Sequence, residues 1–367
     1  MAMNGISRET LVALHEADGI GWLTINRLWQ ARHRYPICPG MREGDLRACG
    51  LTPKQATVVA ACLREERIEA RLRQHERAGI EILTRADPNY PRQLEETSDP
   101  PFVIYFRGRL ELIGRPSIAI VGTRLATAYG RHIAESFSAA FAERGFAVVS
   151  GMARGIDTCA HQGALHRLGG TTAVLGMPVD CIYPPENRGL YRQIREQGLL
   201  LSEAPPGTPY HSGMFPSRNR IIAGLSLCVV VVEAPIGSGA LITADEAIEA
   251  DRTVFAVPGP ITSPRSRGLM ERLADGTATM ALSADDVMRR FERLLRENAA
   301  SADRSPPDAE MTDREQAVYG LLLDEPRSVD ELAACSGLPL GELNGVLLSL
   351  QLKKLAHRLP GSLYGAL

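Results

Sequence analysis

Residues 118–137 read IAIVGTRLATAYGRHIAESF. A short apolar run, Ile118 to Val121, ends in Gly122-Thr123-Arg124, after which the apolar spacing becomes that of a helix. Strand, glycine turn and helix in this order form the repeating unit of a parallel sheet. The unit recurs in VVSGMARGIDTCAHQGAL at 148–165 and in EAPIGSGALITADEAIEA at 233–250. Over residues 80–297 such runs alternate with helical patterns, which predicts an α/β domain with a doubly wound, mostly parallel, Rossmann-like sheet. The predicted strands are Ile118 to Val121, Ala147 to Ser150, Thr172 to Leu175, Leu199 to Ser202, Leu227 to Glu233 and Thr253 to Val257, with Ile80 to Thr84 and Phe102 to Arg107 as added edges.

Outward from this domain the patterning changes. Residues 1–79 have helical apolar spacing at Leu11, Val12, Leu14, Ile25, Leu28, Trp29, Val58, Val59, Cys62 and Leu63, broken at Gly19, Pro36, Pro39 and Pro53. The alternating charges from Arg64 to Arg77 predict a solvated helix face. Residues 298–312 are polar, include Pro306-Pro307 and read as a linker. Residues 313–367 give three short helices, a turn at Ser336-Gly337 and a small β wing around Pro360-Gly361, the pattern of a winged helix.

Composition narrows the function classes. Of 367 residues, 44% are hydrophobic and 23% charged, as in a globular chain. The longest apolar run, Ile221 to Val232, is short of a bilayer span, so no membrane segment is expected. The start MAMNGISRETLVALHEADG lacks the basic-then-apolar pattern of an export signal, and a cytoplasmic address is expected. Seven scattered cysteines make no CxxC pair, so neither structural zinc nor disulfides are expected. A net charge of -2 argues against bulk coating of nucleic acid, so any such site must be a local patch. Lysine occurs only at Lys54, Lys353 and Lys354, which excludes a Walker A loop in the α/β domain. The dinucleotide signature GxGxxG, the zinc motif HExxH and the nucleophile frame GxSxG are missing, so no cofactor, metal or catalytic residue is assigned.

What remains suits an anionic polymer. Glycine loops at the carboxyl ends of parallel strands let backbone N–H groups and helix termini approach phosphate. Gly122 and Arg124 occupy one such loop, although Gly122 also suits a plain tight turn. Ser150, Gly151, Arg154 and Gly155 form a second, with Asp157 able to cap the following helix. Gly237-Ser238-Gly239, leading to Thr243, form a third. His161 and His166, five apart, suit packing or surface better than a metal. In MFPSRNRIIAGLSLCVVVVEA at 214–234, Phe215 stands beside Ser217, Arg218, Asn219 and Arg220. An aromatic ring that stacks a base beside guanidinium groups that hold phosphate is single-strand physics. Equally, Phe215 could be core and the arginines paired with Glu203 or Glu233.

Taken together, IAIVGTR, SGMARGIDTCAHQGAL, AVLGMPVDCIYPPEN, LLLSEAPPGT, FPSRNRIIAGLS, VVVVEAPIGSGALITADEA and FAVPGP closely resemble the DprA/Smf family of DNA-processing proteins, in order and spacing from Ile80 to Gly276. The resemblance implies an extended Rossmann fold, a homodimer formed through that domain, a single-stranded DNA pocket, protection of incoming strands in natural transformation, and loading of the recombinase RecA. It implies DNA contacts from Gly122, Thr123 and Arg124, from Ser150, Gly151, Arg154 and Gly155, from Phe215, Arg218, Asn219 and Arg220, and from Ser238, Gly239 and Thr243. Two departures stand out. Tyr210, His211 and Ser212 lie where many members carry a basic residue, and Met270 replaces an asparagine within Ser266 to Leu273.

Ala17 to Gly21 approximate a helix-hairpin-helix, with Ile25 in place of the usual small residue. The predicted recognition helix of the winged domain offers Glu342, Asn344, Ser349 and Gln351 and no cation before Lys353, which favours a protein-contact or regulatory role over duplex reading. Two competing readings are a phosphoribohydrolase-like enzyme, whose PGGxGTxxE motif Pro235 to Glu246 echo without its spacing, and a duplex regulator acting through the winged helix.

Overall fold

The structure is a computed structural model that describes residues 5–291, 312–324, 327–353, 355–359 and 363–366. The expected linker therefore lies outside the described residues, apart from Thr312. Residues 1–296 form one compact unit and 297–367 a second.

The first unit is built on a nine-stranded sheet. Its strands are β1 (Glu81–Thr84), β2 (Val103–Gly108), β3 (Ser117–Val121), β4 (Ala147–Ser150), β5 (Thr171–Leu175), β6 (Leu199–Ser202), β7 (Cys228–Val231), β8 (Thr253–Ala256) and β9 (Thr279–Met280). They lie in the order β1-β2-β6-β5-β4-β3-β7-β8-β9. From β6 to β9 every pairing is parallel, while β2 joins β1 and β6 antiparallel. Alternate residues of each central strand feed opposite cores. Ile118, Ile120, Val148 and Val230 pack on the helices Ala128–Glu143 and Ile156–Ala164, whereas Ala119, Val121, Val149 and Val231 pack under Met214–Leu225 and Gly239–Glu249. The sheet is thus doubly wound.

The expected strands form with small changes at their ends. The run expected to reach Glu233 stops at Val231, because the chain must turn there toward the Gly237 loop. The two-residue β9 was not anticipated; with both residues exposed it has no apolar alternation to read. Met270, in place of the family's asparagine, is accommodated in a regular helix, Arg267–Ala274.

The N-terminal helices do not pack apart from the sheet. Trp22 and Trp29 each place their rings 5.8 Å from Phe102. Glu16 accepts hydrogen bonds from Arg71 (2.6 Å), His75 (2.7 Å) and the Tyr105 hydroxyl (2.7 Å), tying the helices Arg8–His15 and Glu65–Arg77 to β2. Burial pushes the Glu16 carboxyl up, but these hydrogen bonds outweigh it and leave its pKa below the ordinary value. Ile25 is fully buried, which makes the hairpin-like turn at Ala17 to Gly21 a packing element.

The second unit has helices Asp313–Asp324, Val329–Ser336 and Leu340–Leu352, with a three-stranded sheet of β10 (Arg327–Ser328), β11 (Ala356–Leu359) and β12 (Leu363–Ala366). Gly337, in the left-handed conformation, ends the second helix at the expected turn. No single helix among the described residues is long and apolar enough to cross a membrane.

Candidate functional site

Strand order reverses between β3 and β7: the chain runs from β3 out to β6 on one side, then from β7 to β9 on the other. In open α/β sheets the crevice at the carboxyl ends of such a pair is the natural ligand site. Here the glycine loops meet. The Thr123 N–H donates to the Glu233 carbonyl (2.7 Å) and the Ile156 N–H to the Thr123 carbonyl (3.3 Å). Gly155, at φ 77°, comes so close to Thr123 that a Cβ would sit 2.4 Å from its carbonyl oxygen. The loops after β3, β4 and β7 are therefore locked to one another.

They enclose a groove of about 540 Å³. Gly122, Thr123, Arg124, Phe215, Arg218, Asn219, Ser238, Gly239 and Thr243 line it, and Gly151 and Arg154 line an adjoining recess that shares Arg124, Phe215 and Arg218. Ser150, Gly155 and Arg220 line neither. Ser150 is fully buried and its hydroxyl donates to the Ile120 carbonyl (2.6 Å). Arg220 pairs with Glu203 (2.7 Å) and Asp99 (2.9 Å), as the alternative reading of the motif allowed. Arg154, expected inside its loop, is exposed at the surface and pairs with Glu186 at 2.6 Å.

Arg218 is 8% exposed. Its Nη1 donates to the carbonyls of Gly151 (2.7 Å) and Val174. Gly151 is needed for this approach, since a Cβ there would lie 2.4 Å from Nη1. Burial lowers the Arg218 pKa to about 10, against the opposing pull of Asp157. Asp157 does not cap its own helix; it accepts the N–H groups of Gly151 (3.1 Å) and Ala153 (3.3 Å) and so shapes the loop. Burial raises its pKa, with Arg218 working the other way. His161, also fully buried, accepts the Met152 N–H at Nε2 (3.3 Å) and donates from Nδ1 to the Thr171 hydroxyl (2.7 Å). Burial takes its pKa down to about 3, so it is neutral and structural. His166 sits at the surface on Gln197.

Arg124 is different. It is exposed, has no ion-pair partner among the described residues, and holds its guanidinium 5.8 Å from the centre of the Phe215 ring. Phe215 lies in the first turn of the helix Met214–Leu225 and is flanked by Tyr183 (5.3 Å between ring centres) and Tyr210 (6.2 Å). Neither tyrosine had been assigned a role from the sequence. Tyr183 lies within CIYPPEN, where an aromatic beside two prolines was the available signal.

One anion site of the crevice is already filled. Glu233, 4% exposed, accepts the Thr127 N–H (2.9 Å) and the Thr127 hydroxyl (2.5 Å) at the start of the helix Ala128–Glu143. That is the helix end where a Rossmann dinucleotide places its pyrophosphate. The helix Gly239–Glu249, capped by Ser238, keeps its N-terminus at the groove. Among the described residues no His, Cys, Asp and Glu side chains gather as a metal site.

The chain matches the family model described as DNA recombination-mediator protein A over residues 81–292, and that of the DprA winged helix domain over 301–362. Protein Smf of Synechocystis is 37% identical over 328 residues, covering 80% of this chain and 82% of that protein. The X-ray structure of DNA processing protein A from Streptococcus pneumoniae superposes with a TM-score of 0.68 at 31% identity, covering 78% of this chain and 98% of that one. A structure of the Helicobacter pylori protein, reported for its single-stranded DNA binding mode, gives 0.53 at 29% identity over 60% of this chain and 96% of that one. These matches show that the chain belongs to the DprA/Smf family of DNA-processing proteins.

Proposed function

We propose that this protein binds single-stranded DNA in the groove between β3 and β7, protects incoming strands in the cytoplasm, and loads RecA onto them during transformation and recombination, without carrying out chemistry of its own. The observation that carries this reading is that Arg124, exposed and without an ion-pair partner among the described residues, lies over the Phe215 ring beside the Ser238-capped N-terminus of the helix Gly239–Glu249. Cation, ring and backbone N–H groups are what a single strand needs, and a stacked duplex offers no base face to the ring. Its Helicobacter pylori relative has a described single-stranded DNA binding mode. Action as a homodimer through the sheet domain is supported by the exposed Met280 of the terminal strand β9 and the exposed Leu282 that follows it.

The competing readings fare less well. Glu246, the carboxylate that an enzyme of the phosphoribohydrolase type would need, does not line the groove. In the winged domain Lys353 is bound to Glu315 (2.7 Å) and Arg314 to Glu342 (2.6 Å), which engages cations a duplex reader would use.

Fluorescence anisotropy of a labelled oligonucleotide over a salt series tests the proposal. The protein should prefer single strand over duplex, and Arg124→Ala should weaken binding and flatten the log-log salt slope by about 0.7, one phosphate's share. Equal affinity for duplex, or an unchanged slope in the variant, would remove the groove as the DNA site.

A further inference from the structure

We infer that Tyr183 and Tyr210, with Phe215 between them, form a nucleobase platform, so that this chain grips single strands by base stacking in a stretch of groove that offers no exposed cation beyond Arg124. The inference rests on the single-strand reading above and assigns the part of the ligand that these rings take.

Three observations converge. Tyr183 is 44% exposed and Tyr210 62% exposed, and both line the same groove as Arg124 and Phe215. Burying tyrosine is favourable, and rings left this open on either side of a half-buried phenylalanine present apolar faces to solvent at a cost a ligand can relieve. Their geometry is that of a platform with tilted sides. The ring planes meet Phe215 at 41° and 52°, too steep for the three to satisfy one another by face-to-face stacking, which leaves ring faces available. Finally, the segments that carry them, 176–187 (GMPVDCIYPPEN) and 204–217 (APPGTPYHSGMFPS), contain no Lys or Arg. Arg218 is committed to the carbonyls of Gly151 and Val174, and Arg154 to Glu186. Beyond Arg124 this wall therefore has aromatic faces in place of cations, and what it can hold is the base rather than the phosphate.

The ligand class that fits is a run of adjacent, unpaired bases without a sequence requirement, because every base has a π face. Stacking is insensitive to salt compared with phosphate contact, so affinity should divide into a salt-dependent part centred on Arg124 and a base-dependent part centred on the rings.

The experiment compares a labelled oligothymidylate with an abasic oligomer of the same length, which keeps the phosphates and removes the bases, using wild type, Tyr210→Ala, Tyr210→Phe and Arg124→Ala. Wild type should bind the thymidylate more tightly. Tyr210→Ala should lose roughly 5- to 150-fold on thymidylate, the range for one stacked base, with little change on the abasic oligomer and an unchanged salt slope. Tyr210→Phe should behave as wild type. Equal binding of both oligomers by wild type, or a Tyr210→Ala variant that matches wild type or flattens the salt slope, would overturn the inference while a weakened Arg124→Ala left the single-strand reading intact. Failure of wild type to bind either oligomer would overturn both.

Discussion

Within the FPSRNR motif, Arg218 is held by the carbonyls of Gly151 and Val174, and its replacement tests whether it builds the groove or contacts the ligand. Replacing it with methionine keeps the buried volume but removes two hydrogen bonds from a charged donor, to the carbonyls of Gly151 and Val174. At about 1.5–3 kcal/mol each, these set a loss of roughly 3–6 kcal/mol; relief from burying a guanidinium brings it toward the lower end, about 3 kcal/mol. With an unfolding entropy of about 2.1 cal/mol/K per residue across residues 1–296, the melting temperature should fall by about 5 °C. The deficit should also depend on pH. The Asp157 carboxyl is already raised by burial, and loss of Arg218 raises it further, so the variant should be worst at neutral pH and recover as pH falls through that raised value and the carboxyl takes up a proton. Circular-dichroism melts across pH, paired with anisotropy at 20 °C, read both quantities. A variant that melts within about 1 °C of wild type yet binds single strand more than tenfold more weakly would refute this account and make Arg218 a ligand contact.

Arg220→Ala should lower stability by about 1–3 kcal/mol, through the loss of its bonds to Glu203 and Asp99, while leaving the affinity and salt slope for single strand unchanged; a flattened slope would place Arg220 on the DNA. Glu16→Gln should cost about 1.5–3 kcal/mol at neutral pH in thermal or urea unfolding. Because the folded-state pKa of Glu16 lies below the ordinary value, its contribution is present above about 4.5 and lost as pH falls through the lowered one. Wild type should therefore lose stability faster than Glu16→Gln on acidification, and parallel curves would show that the carboxylate is not what docks the N-terminal helices.

The sequence made the central strands legible because they are buried on both faces, and continuous apolar runs such as Ile118 to Val121 and Leu199 to Ser202 have little else to be. It also made the loops legible, since glycine after a strand has a restricted set of uses. The FPSRNR cluster was harder. Read as charge, Arg218, Asn219 and Arg220 belong to one patch. On the helix Met214–Leu225, however, residues two apart point about 200° away from each other, so Arg218 goes into the loop scaffold while Arg220 leaves toward Glu203 and Asp99. The two tyrosines were missed for a related reason. Tyr183 and Tyr210 are 27 positions apart in irregular segments, and only the fold brings both to Phe215.

Glu233 bears on why a Rossmann-like sheet would suit the polymer ligand proposed above. A parallel sheet of this topology offers its first helix N-terminus to an anion, and a nucleotide would take it. Here the chain supplies the anion itself, with the Glu233 carboxylate bound by Thr127 and with Gly130 leaving the space for it, since a Cβ there would stand 2.5 Å from the carboxylate. With that position closed, the groups left to meet a ligand lie across the switch point: Arg124 after β3, the Ser238-capped helix after β7, and the aromatic wall. A groove with one exposed cation, Arg124, and no pyrophosphate cradle suits the proposed polymer better than a small nucleotide. On the proposed single-strand reading, the missing GxGxxG and the buried glutamate agree with each other: both suit a groove that lets a phosphate backbone pass over one that holds a diphosphate.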